Sequence, residues 1–173
     1  MKPCIVDIET LGKAEAWDEE SRIVCIGVRD AESTTVKVFL YEDEKDTVQE
    51  FVTWYRRGGY REIVGFNLSH DLRFIQSRCL RYEIPAGEIF SSTYTDLMTI
   101  LWSFRGVRGF GRPGKMNEWA QYILGKIKLS SGASVKERFE KGQFTQIMQY
   151  CKEDVHLTYD LWARMRTVLG CQT

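Results

Sequence analysis

The chain has 173 residues, a length that suits one domain, 1–173, with a full-sized core. Its 43% hydrophobic and 13% aromatic content excludes a disordered chain, and no apolar run approaches the roughly 18 residues of a membrane span. Net charge is zero, with 24 basic and 24 acidic residues, so the overall balance points to no polyanionic partner.

Cys4 to Glu9 reads as a first strand, with β-branched residues and alternating faces. Asp7 interrupts the apolar stretch that a signal peptide would need here, so a soluble, cytoplasmic protein is expected. Arg22 to Arg29 and Thr34 to Tyr41 form two further strands, joined into a hairpin by Asp30 to Ser33. Thr47 to Arg57 has helical spacing and stops at Gly58 and Gly59. Glu62 to Phe66 is a short buried strand. Asn67 or Ser69 then caps a helix running to about Arg81.

Glu88 to Thr95 reads as an edge strand, followed by a helix at Asp96 to Trp102 that Asp96 can cap. Ser103 to Gly114 is a glycine-rich loop. Helices follow at Lys115 to Leu124, Val135 to Lys141 and Phe144 to Leu169, and Trp102, Trp119, Tyr122 and Trp162 are assigned to the core. The order of elements predicts an α/β or α+β sheet covered by helices. Five scattered cysteines without a C-x-x-C pair read as buried thiols rather than a zinc or disulfide framework.

Three groups of residues carry chemistry. Asp7 and Glu9 lie two apart on a strand and so share a face, where hard oxygen donors suit Mg²⁺ or Mn²⁺. Asp71 stands near the start of the middle helix, where an acid also serves the helix dipole. Tyr150 and Asp154, at i and i+4, share one face of the last helix. Singly, each has an ordinary structural explanation.

Together, D-x-E on the first strand, N-x-x-x-D entering a middle helix and Y-x-x-x-D in the last helix resemble the DEDD superfamily of 3′–5′ exonucleases. The tyrosine matches the subgroup containing the proofreading domains of family B DNA polymerases. The histidine subgroup places its base five residues before the last aspartate, which here is Gln149. His156 lies roughly 200° round the helix from Asp154 and cannot substitute, and His70 is expected to pack or cap near the strand end.

The resemblance implies an RNase H-like fold, a five-stranded mixed β-sheet flanked by α-helices. It also implies two divalent metal ions, Mg²⁺ or Mn²⁺, about 4 Å apart. Asp7, Glu9 and Asp154 would hold one ion, Asp7 with Asp71 the other, and Tyr150 would orient the attacking water. Thr10 and Leu11 would touch the terminal nucleotide and Asn67 the strand. The implied substrate is a 3′ end, preferably of single-stranded DNA, with RNA trimming or a catalytically silent nucleic-acid-binding module as alternatives. Phe66 and His70 depart from the family's usual polar and aromatic residues beside the second motif.

Between Leu97 and Lys136 the only acid is Glu118. Arg105, Arg108, Arg112 and Lys115, with Phe104 and Phe110, are expected to guide single-stranded substrate by charge and stacking. Gly109 to Lys115 also matches a phosphate-binding G-x-x-x-x-G-K. Met116, however, replaces the hydroxyl residue that would reach magnesium. No motif identifies a polymerase or repair partner.

Overall fold

The computed structural model describes residues 2–13, 15–104, 114–127 and 134–170. Strands β1 (Pro3–Leu11), β2 (Arg22–Asp30), β3 (Lys37–Phe39), β4 (Glu62–Gly65) and β5 (Thr93–Asp96) form a mixed sheet in the order β3-β2-β1-β4-β5. β1 pairs antiparallel with β2 and parallel with β4, while β5 runs parallel to β4. This five-stranded mixed sheet flanked by helices is the expected RNase H-like α/β fold.

Alternation along β1 divides the core. Cys4, Val6 and Ile8 pack beneath α1 (Glu44–Gly58) and α2 (Leu68–Arg81), with Ile26, Val28, Phe39, Phe51 and Phe74. Ile5 faces the other layer with Val64, Leu97, Leu101, Trp119, Val155 and Leu161. That layer is built from α4 (Leu97–Ser103), α5 (Met116–Leu124) and α7 (Phe144–Leu169). A short helix, α6 (Val135–Glu140), precedes α7. Among the described residues, no helix is long and apolar enough to cross a membrane.

Several expected boundaries shift for local reasons. Asp43 accepts a hydrogen bond from the Lys45 N–H at 2.8 Å, so α1 begins at Glu44, three residues before Thr47. The third strand shrinks because side chains take its outer amides. Ser33 Oγ accepts from the Thr35 N–H, and Thr47 Oγ1 accepts from the Tyr41 N–H. The expected edge strand from Glu88 begins only at Thr93. Its first half is instead a helical turn, α3 (Gly87–Phe90), in which Phe90 and Ser91 donate to the Ala86 and Gly87 carbonyls.

Trp119 and Trp162 are buried as expected. Trp102 and Tyr122 are not; Tyr122 is 83% exposed. Helix α5 turns Trp119 and Ala120 inward, which leaves Tyr122 on its outer side. Cys4, Cys25, Cys79 and Cys151 are free, buried thiols, as expected.

Candidate active site

Asp7 is central because β1 is central. Its cross-strand partner is Gly27 of β2, and both face α7. A Cβ on Gly27 would lie 2.6 Å from Cys151 Sγ and 2.9 Å from Val155 Cγ2. The missing side chain therefore lets α7 lie directly on the sheet, and this close approach brings Asp154 within electrostatic reach of Asp7 on β1. Directly after Glu9 the β1–β2 register slips, so Thr10 faces Ile23 rather than Val24. Such a bulge re-aims the strand end beside the site.

Asp71 arrives by a different route. β4 pairs with β1 only as far as Ile5 and then turns away through Gly65 into α2. The Ile8 N–H beyond that point donates to Asp71 Oδ1 at 2.9 Å. Asp71 thus bridges the first turn of α2 to the central strand. Burial raises its carboxyl to about 8, partly offset by the Ile8 N–H, with Asp96 adding to the rise.

The acids converge. Burial first, and then the charges of Glu9, Asp71 and Asp154, hold the Asp7 carboxyl well above the usual carboxylate range. Donor atoms of Asp7, Glu9 and Cys151 all lie within 4.8 Å of one another. The Cys151 thiol approaches Asp7 Oδ2 and the Asp7 carbonyl, each at 3.8 Å. Hydrogen bonding with Cys25, together with burial, pushes that thiol well above its ordinary value. Hard carboxylate oxygens grouped in this way are the donor set of Mg²⁺ or Mn²⁺, so the residues present fit divalent ions of that class.

Tyr150 sits half-buried one turn before Asp154, and the Arg138 guanidinium of α6 lies 5.4 Å from its ring centre. Thr10 and Leu11 are half-buried at the end of β1. Beside Leu11 opens a cleft of about 530 Å³ lined by Gly12, Lys13, Lys136 and Phe139 among others. A more apolar cleft, of about 730 Å³, lies between α4, α5 and α7, and none of the four acids lines it.

Asn67 is exposed, with φ of 62°, and its N–H donates to Asp96 Oδ1 at 3.0 Å. Its side chain makes no cap bond to α2. Asp96 also caps α4 through the Met98 N–H. His70 packs on the Phe74 ring, with centres 4.9 Å apart, and His156 bonds Arg29 Nη1 at 3.2 Å.

Lys115 immediately precedes α5, and its N–H donates to Glu118 Oε2. Its neighbour Met116 accepts from Thr158, one turn beyond Asp154. Arg105, Arg108, Arg112 and Phe110, and most of the G-x-x-x-x-G-K stretch, lie outside the described residues. Gly27, Cys151 and Arg138 were not singled out from sequence. Only Gly27, an isolated glycine inside a strand, carried a local signal of close approach.

A family model described as a predicted 3′–5′ exonuclease related to the exonuclease domain of PolB matches residues 19–172. No curated protein matches the sequence. Among solved structures, a family B DNA polymerase from the hyperthermophilic archaeon Pyrobaculum calidifontis aligns with a TM-score of 0.77 and 18% identity. The alignment covers 95% of this chain and 24% of the polymerase, so the chain spans about a quarter of that protein's length.

Proposed function

Since the chain belongs to the family of predicted 3′–5′ exonucleases related to the PolB exonuclease domain, we propose that its acidic centre removes mononucleotides from the 3′ end of single-stranded DNA. The observation that carries this reading is the convergence of Asp7, Glu9, Asp71 and Asp154, drawn from one strand and two helices, around one buried point. A purely structural set of acids would sit apart in solvent or beside basic partners, because burying like charges together is costly.

Asp7, Glu9 and Asp154 would hold one divalent ion, and Asp7 with Asp71 a second. Bound there, the ions supply the Lewis-acid charge that stabilises a phosphodiester as negative charge builds on it. The chain's own groups position the reactants. Tyr150, on the face of α7 that carries Asp154, orients the attacking water through its hydroxyl. Thr10 and Leu11 contact the terminal nucleotide, and the cleft beside Leu11 offers Phe139 for a base, with Lys13 and Lys136 reaching phosphates by leaving Asp18 and Glu140. Asn67, held in its left-handed conformation by Asp96, presents its side chain to the strand. Lys115, together with Arg105, Arg108 and Arg112, adds positive charge along the incoming chain.

The test is incubation with 3′- and 5′-labelled single-stranded DNA and RNA, with Mg²⁺, Mn²⁺ or chelator. Metal-dependent shortening from the 3′ end is expected, faster on DNA, and Asp154→Asn should abolish it while the protein stays folded. Shortening that persists in chelator, or that proceeds from the 5′ end, would overturn the reading. Faster RNA trimming would keep the chemistry and change the substrate. Binding without cleavage in both metals would favour the silent module.

A further inference from the structure

Arg138 is only 8% exposed, and its Nε is buried without a hydrogen-bond partner among the described residues. An arginine in that state is costly to bury and needs an explanation in its surroundings. Its guanidinium lies over the Tyr150 ring at 5.4 Å from the centre, within range of a cation–π contact.

The chain fixes this arrangement locally. Helix α6 opens with a reciprocal cap, in which the Glu137 N–H donates to Ser134 Oγ and the Ser134 N–H to Glu137 Oε2. It closes with Gly142 at φ of 66°, where the Gly142 N–H donates to the Phe139 carbonyl and the Gln143 N–H to the Arg138 carbonyl. That pair of bonds is a Schellman motif, which sets the angle at which the chain leaves the helix. Phe139 and Phe144 meet edge to face across the turn, with centres 5.5 Å apart. Six residues of α6 and the first turns of α7 thus form one hairpin with a set register between Arg138 and Tyr150.

We propose that Arg138 is a positioning residue that holds the Tyr150 ring, and hence its hydroxyl, in the orientation the reaction needs. This rests on the reading of Tyr150 as the group that orients water. The guanidinium covers one ring face of a side chain that is otherwise half-open to solvent. Removing the guanidinium takes away that contact and uncovers the ring face beneath it.

The experiment compares Arg138→Met and Arg138→Lys, each alone and combined with Tyr150→Phe. Turnover on 3′-labelled single-stranded DNA is measured alongside ¹⁹F NMR of protein labelled with 3-fluorotyrosine, the Tyr150 line being assigned by its loss in Tyr150→Phe. Arg138→Met should lower kcat by about ten- to a hundredfold while KM changes little, the scale expected of a displaced catalytic group. In the Tyr150→Phe background the same substitution should cost about twofold or less, because the two changes remove one function. The Tyr150 fluorine line should shift or broaden in Arg138→Met, with the other tyrosine lines in place. Arg138→Lys should restore part of both signals.

An equal loss in both backgrounds, or a rise in KM alone, would mean that Arg138 serves the substrate or the fold, and would overturn the proposal. An unmoved Tyr150 line would overturn it as well. If the unaltered protein degrades no nucleic acid, the reading of the site fails, and the fluorine spectra still decide whether Arg138 holds Tyr150.

Discussion

Asp71 is buried and Asp7 partly buried, and their environments differ further. Asp71 has a main-chain donor in Ile8, whereas Asp7 faces Glu9, Asp71 and Asp154. Asp7→Asn should therefore abolish nuclease activity and raise the melting temperature of the metal-free protein, because the neutral amide removes the cost of placing an ionisable carboxyl beside the other three. Thermal melts in chelator check this, and a lower melting temperature for the variant would contradict it. Arg78 illustrates the opposite case. It is fully buried, donates to Glu44 Oε1 at 2.8 Å and also bonds the carbonyls of Ala16 and Ser21. It thereby ties the segment after Leu11 to α1 and α2. Arg78→Met leaves the buried Glu44 carboxylate with the Ile23 N–H and the Tyr82 hydroxyl but without its cationic partner, and should cost about 3–5 kcal/mol in denaturant unfolding. A loss below about 1 kcal/mol would show that the pair is replaceable.

At the scale of elements, the site depends on how closely α7 lies on β2. Gly27→Ala places a methyl against Cys151 Sγ and Val155 Cγ2, so the helix must lift or the strand must bend. Overpacking of this kind costs about 1–3 kcal/mol. Activity should fall by more than the stability loss explains, because lifting α7 carries Asp154 and Tyr150 away from Asp7. Adding Cys151→Ala removes the closest obstruction, so the double variant should recover part of both. Parallel melts and initial rates on the three proteins make the comparison. A double variant less stable than Gly27→Ala alone would refute it.

For the whole molecule, the buried acids link stability to pH and metal. The folded-state carboxyls of Asp7 and Asp71 lie above their unfolded values, Asp71 at about 8. The folded protein therefore binds more protons than the unfolded chain between roughly pH 4 and pH 8. Stability from these groups is complete below the unfolded carboxylate range and is lost as pH rises through the folded values. In chelator, these two carboxyls should accordingly lower the melting temperature from pH 5.5 to pH 8 by more than His70 and His156, whose lowered values favour the folded state as pH rises, restore. Mg²⁺ or Mn²⁺ should raise the melting temperature more at pH 8 than at pH 5.5, because fewer protons compete there with the ions, which bind the folded protein. A metal-free protein that gains stability from pH 5.5 to 8 would contradict this account.

Much of this protein is legible in its order of residues. The long α7 has the bounds expected from its 3.6-residue pattern, Phe144 to Leu169. The placement of Asp7 and Glu9 on one strand face and of Tyr150 and Asp154 on one helix face follows from period alone, since each pair belongs to a single element. Local pattern says less about ends. Ser33, Asp43 and Thr47 moved element boundaries by side-chain bonds of comparable strength to those of the strand ladder or helix they interrupt. Nor does it reveal which aromatics lie inside, as Trp102 and Tyr122 show, because an amphipathic pattern does not say whether a neighbour covers each position. The junctions between elements were decided only by the tertiary structure: Asp71 on the Ile8 amide, Cys151 over Gly27, Arg138 over Tyr150. Each joins residues from different elements, and burial and close packing, rather than spacing along the chain, determine which of them meet.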